Sequence, residues 1–162
     1  MGQGPGGGRS RLTTQDLPVD NRNLQFFRSQ IGKPIENSPS PLGNWLNGTF
    51  VDVNESEMTL SFRVRREMTN PVGILHGGAA CAIIDDVMGM TVYALGKEFI
   101  YVTVSLTVDF LDNAREGETI FAKTKVIRNG RTLVNVECHL VNESGKILAK
   151  GTSNLVATRI PA

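Results

Sequence analysis

Between Asn70 and Asp85 the chain reads N-P-V-G-I-L-H-G-G-A-A-C-A-I-I-D. This stretch collects most of the residue types that could do chemistry. Asp85 and Asp86 interrupt a run that is otherwise apolar or small from Ala79 to Tyr93. A helix apolar nearly all round is a buried one, and a carboxylate on it is costly unless it is paired or used. Either Asp85 is a working acid or base, or it is paired with a cation; for Asp86 a solvent-facing or ion-paired position is the simpler expectation. His76-Gly77-Gly78 precedes the run. Helix starts leave backbone N–H groups without intrahelical partners and carry the positive end of the helix dipole. Glycine lets a ligand approach that backbone closely. The combination suits polarisation of a carbonyl, although the two glycines could equally serve close helix–sheet packing. Asn70 and His76 bracket the loop that feeds the helix, and each can hold water or a carbonyl by hydrogen bonds.

Helical geometry restricts how these groups could cooperate. Gly78 and Asp85 are seven residues apart, so at about 100° per residue they share a face while Asp86 points roughly 80° away. Along the axis they are about 10 Å apart. One reacting carbon must lie about 3 Å from both donor and carboxylate, which a single helix cannot arrange. Two antiparallel copies related by a two-fold axis can, and isologous dimers are the commonest oligomers. The expectation is two identical sites per dimer, each built from both chains.

The elements that would position these groups follow from periodicity. Asn21 is placed to cap a helix over Arg22–Ile31, closed by Gly32-Lys33-Pro34; Ser38–Pro41 reads as a turn. Thr49–Val53 and Met58–Val64 read as a strand pair, Arg65–Leu75 as a loop, and Ala79–Leu95 as the one long helix, stopped by Gly96. After Gly96 the period switches to two. Strands are expected over Tyr101–Phe110, Thr119–Ile127, Val134–Leu140 and Lys146–Thr158, with turns at Asn129-Gly130 and Glu143–Gly145. In the first of these, the alternation groups Thr103 with Ser105 and Thr107 on the polar side. Strand and helix do not alternate, which argues against a doubly wound fold. An α+β fold with an antiparallel sheet wrapped round one helix is the economical arrangement.

The 162 residues suit one domain. Met1–Gly8 contains five glycines, and residues 1–20 are expected to form a disordered tail ahead of a domain over 21–162. Seventeen Lys and Arg against 16 Asp and Glu leave a net charge of +1, without the basic excess of a nucleic-acid-binding surface. No apolar run approaches the roughly 20 residues of a membrane span, and no signal-peptide pattern is visible. Cys81 and Cys138 lie inside apolar patterns and read as reduced core residues, so a cytoplasmic location is expected. Two Cys and two His without close spacing make neither a zinc site nor another metal centre.

The string N-x-x-G-x-L-H-G-G-x-x-x-x-x-x-D, from Asn70 to Asp85, resembles the hotdog-fold acyl-CoA thioesterases, in particular the phenylacetate-pathway type and its mammalian relatives. The likeness runs from about Trp45 to Thr158. It implies a hotdog fold, a central helix in a wrapping sheet, with composite sites in a homodimer and dimers paired into homotetramers. It implies hydrolysis of an aryl or short- to medium-chain acyl-CoA to free acid and CoA, with no cofactor besides the CoA of the substrate. By the same resemblance, Asp85 corresponds to the catalytic carboxylate and Gly78 to the residue whose N–H polarises the thioester carbonyl. Asn70 and His76 correspond to the pair that orients water and substrate, and Thr103 to a hydroxyl residue where the following strand enters the site. Asn129-Gly130-Arg131-Thr132 resembles the G-[RK]-[ST] turn that lies near bound CoA, and Gly77 joins it as a substrate contact. Relatives of this fold also include acyl-thioester dehydratases and non-catalytic acyl-CoA-binding proteins. Release of free thiol separates hydrolysis from both.

Overall fold

The computed structural model describes residues 21–162; the expected Gly-rich tail lies outside them. Helix α1 (Arg22–Ser29) begins at Asn21, whose side chain accepts the Leu24 N–H. Helix α2 (Pro41–Leu46) follows directly on the expected Ser38–Pro41 turn, where no helix was expected. Ser40 caps it by accepting the Gly43 N–H at 3.0 Å, and Pro41 occupies the first helical position, where a missing N–H costs nothing. Strands β1 (Thr49–Val53) and β2 (Glu57–Arg63) form a hairpin. A single 3-10 turn, Arg66–Met68, interrupts the loop before helix α3 (Gly77–Tyr93). Strands β3 (Phe99–Phe110), β4 (Thr119–Asn129), β5 (Leu133–Asn142) and β6 (Ile147–Pro161) complete the chain.

The six strands form one antiparallel sheet in the order β1-β2-β4-β5-β6-β3. Its concave face wraps α3. Ile83, Ile84, Val87 and Met88 on the helix are fully buried against Leu60, Ala122, Val136, Cys138 and Leu140 of the sheet. Burial of each large aliphatic side chain contributes about 1.5–3 kcal/mol, so this layer fixes the helix in place. Gly151 on β6 lets it lie close: a Cβ there would stand 2.8 Å from Ile84 Cγ2. One polar tie crosses the layer. The hydroxyls of Thr91 and Thr124 meet at 2.6 Å, and both also reach backbone carbonyls, of Val87 and Met58 respectively, so the pair is buried without an unmet group.

The sheet thus encloses the helix as expected, and strand boundaries differ from the periodicity reading by a few residues. The helix itself starts two residues earlier than expected, because His76 caps it.

Candidate active site

Asp85 sits half-buried at the middle of α3. Thr103 Oγ1 on β3 donates to its Oδ1 at 2.8 Å. Strict alternation had placed Thr103 on the polar side with Ser105 and Thr107, and the structure corrects this grouping. Thr103 pairs with Leu155 and Ser105 with Asn154, leaving Val104 as an extra residue on β3. Such a bulge shifts the phase of the strand by one residue. Tyr101 and Thr103 before it, and Leu106 and Val108 after it, therefore face the helix and core. Among the described residues no Lys or Arg pairs with Asp85; the ion pairs are Arg28–Glu55, Arg65–Glu67, Lys125–Glu57 and Lys146–Asp112.

The start of α3 also departs from expectation. His76 Nδ1 accepts the Gly78 N–H at 2.8 Å, so the group assigned to polarise a carbonyl is already engaged. The N–H of Gly77 has no hydrogen-bond partner among the described residues. A backbone N–H only donates, so Nδ1 is the acceptor here and Nε2 is the ring's remaining hydrogen-bonding atom. Both glycines have a local reason. A Cβ on Gly78 would come within 3.1 Å of His76 Nδ1, and one on Gly77 within 3.3 Å of the Phe110 ring. Asn70 Oδ1 accepts the N–H groups of Val72 and Ile74 at 3.1 and 3.3 Å. This shapes the loop and leaves the Asn70 amide NH₂ to donate elsewhere.

One chain does not gather these groups. Gly77 and Asp85 lie eight residues apart on α3, about 12 Å along the axis. The Asn129-Gly130-Arg131 turn is placed differently again. Lys97 Nζ donates to the Gly130 carbonyl at 3.3 Å, and the Tyr101 hydroxyl reaches the Arg131 carbonyl. That holds the turn beyond the C-terminal end of α3, away from His76.

Asp85 and Thr103 open onto a cavity of about 460 Å³ between α3, β3 and the chain preceding β1. Phe26, Phe27, Phe50, Met90 and Tyr93 make its lining predominantly apolar, with Asp86 also on its wall. Asp86 is half-buried and in no ion pair among the described residues. Its Oδ2 is buried without a hydrogen-bond partner, and its Oδ1 lies 3.4 Å from Ser40 Oγ. Burial raises its pKa; the Ser40 hydroxyl opposes this and the neighbouring Asp85 charge adds to it. Both cysteines are free thiols; burial pushes Cys138 up to about 12, which makes it unreactive. Among the described residues no cluster of His, Cys, Asp and Glu could hold a metal, and no helix is long and apolar enough to cross a membrane.

The sequence profile of the thioesterase superfamily matches residues 72–149, the span from the loop before α3 into β6 that contains Asp85, Thr103 and the His-Gly-Gly cap. Over these residues the chain is similar to the thioesterase superfamily. It is 28% identical over 104 residues to human acyl-coenzyme A thioesterase 13, covering 64% of this chain and 74% of that protein. Its fold is similar to that of the PaaI protein from the phenylacetic acid degradation operon of E. coli. The TM-score is 0.71 at 19% identity, over 76% of this chain and 88% of that one. It is also similar to a hypothetical thioesterase protein of Streptococcus pneumoniae with coenzyme A, with a TM-score of 0.65 at 21% identity over 69% and 89% of the two chains. These likenesses show the hotdog fold for this chain. Sequence reasoning expected Gly77 only as a substrate contact and Gly78 as the donor, because a histidine cap has no sequence signature of its own. It missed Ser40 as the neighbour of Asp86, which the Ser-Pro pair at 40–41 signalled.

Proposed function

We propose that the protein is an acyl-CoA hydrolase whose sites are shared between two copies of the chain. One observation carries the reading: an Asp85 carboxylate free of cations, held by Thr103 at the edge of an apolar cavity. The names of its relatives, which include an acyl-coenzyme A thioesterase, support the substrate class. The dimer is supported by β3. This edge strand of 12 residues leaves Val102, Val104 and Phe110 between 46% and 58% exposed. A long apolar edge is a template for pairing with another strand, and a second β3 antiparallel to it places two α3 helices side by side.

In that arrangement the thioester oxygen takes the open N–H of Gly77 of the partner subunit, with the helix dipole behind it. Asp85 takes a proton from water as the water oxygen adds to the thioester carbon. The tetrahedral oxyanion then collapses, the C–S bond breaks, and the leaving thiolate takes the proton held by Asp85, which releases CoA as its thiol and restores the carboxylate. Direct attack by Asp85, through an acyl anhydride that water then opens, uses the same ionised carboxylate. Nε2 of His76 and the free amide of Asn70 supply the orienting hydrogen bonds, and Gly78 serves by closing the cap. The Asn129–Arg131 turn offers an exposed cation for CoA phosphates. Replacing Asp85 by Asn keeps the shape and removes the charge; kcat for thiol release should fall about 10²–10⁴-fold with KM little changed. Full activity in Asp85→Asn would rule the mechanism out.

A further inference from the structure

We infer that Gly89 sets the length of acyl chain the site accepts, an inference that rests on Asp85 holding the thioester. Gly89 lies one turn beyond Asp85 on α3 and lines the same cavity, as does Tyr93 one turn further on. The three share one helix face. A glycine in a helix interior weakens it relative to alanine, so its presence asks for a reason. Elsewhere in the fold the reason is crowding: a Cβ at Gly43, Gly48 or Gly151 would come within 3.2 Å of a neighbouring side chain. At Gly89 a Cβ would meet nothing within 4 Å. Packing does not require the missing side chain; its absence keeps the cavity open. The neighbouring walls, Met90, Phe27 and Phe50, are apolar, which suits a hydrocarbon chain.

The geometry scales the effect. Gly89 is about 6 Å from Asp85 along the axis. An extended carbon chain advances about 1.3 Å per carbon, from C–C bonds near 1.5 Å. Four to five carbons therefore pass before the chain reaches Gly89, and a side chain there obstructs only longer substrates.

The test compares wild type with Gly89→Ala, Gly89→Val and Gly89→Leu on acetyl-, butanoyl-, octanoyl- and decanoyl-CoA, by thiol release. Thermal unfolding and size-exclusion chromatography of each variant run alongside. The ratio of kcat/KM for decanoyl- over butanoyl-CoA should fall in the order Ala, Val, Leu. At Leu it should drop about tenfold or more, in line with the 10–200-fold effect of one methylene in an apolar pocket. Equal loss across all chain lengths in every folded variant, an unchanged profile, or dissociation of the oligomer already at Gly89→Ala would overturn the inference while leaving the hydrolase reading intact. Wild-type protein that releases thiol from no acyl-CoA would instead remove the hydrolase reading, and this inference with it.

Discussion

Replacing Thr103 by Val tests the site at its most specific contact. Valine keeps the β-branched shape and the strand propensity of the position, so the edge strand and its bulge should survive. What disappears is the hydroxyl that donates to Asp85 Oδ1 at 2.8 Å. A hydrogen bond to a charged group is worth about 1.5–3 kcal/mol. Thr103 is exposed and Asp85 half-buried, so water replaces part of the lost interaction, and the lower end of that range applies. About 1.4 kcal/mol corresponds to a tenfold fall in rate. Because Thr103 aims the carboxylate, the loss should appear in kcat with KM nearly unchanged, measured by steady-state thiol release. Thr103→Ser retains the donor and should recover most of the rate. A Thr103→Val enzyme with kcat within about twofold of wild type, under 0.5 kcal/mol, would refute the claim that this contact positions the reacting group. So would a Ser variant as impaired as the Val one.

Two further outcomes follow from the shared site and from the buried acid. Inactive Asp85→Asn mixed and refolded with an inactive Asn70→Ala/His76→Ala double variant should regain thiol release, since each heterodimer holds one intact site; confirmed mixing without recovery would count against composite sites. Burial raises the pKa of Asp86 above its ordinary value. The unfolded chain therefore loses this proton first, and stability falls as pH rises from about 4 up to the folded-state pKa, then levels off. Asp86→Asn removes that penalty: its Tm should exceed wild type at neutral pH, and the gap should close in acid, as followed by thermal unfolding. A gap independent of pH would place the effect elsewhere than in ionisation.

Much of the fold was legible in the chain because its signals are local. The run after His76, apolar or small apart from Asp85 and Asp86, marks a buried helix, and the alternation after Gly96 marks strands whose inner residues cover it. The 3.6-residue repeat alone shows that Asp85 and the start of its helix cannot meet the same carbon. Three features depended on tertiary structure. The bulge at Val104 turns Thr103 toward Asp85, and a bulge is set by pairing with β6 rather than by the strand's own sequence. The cap at α3 depends on the rotamer of His76, which engages Gly78 and leaves Gly77 open. Asp86 is half-buried because α2, of which the sequence showed only the leading Ser38–Pro41 turn, packs against it. Periodicity records which side of an element is apolar. Which of two adjacent N–H groups is free, and which of two adjacent carboxylates reaches a hydroxyl, depends on contacts between segments distant in sequence, and those exist only once the sheet has closed round the helix.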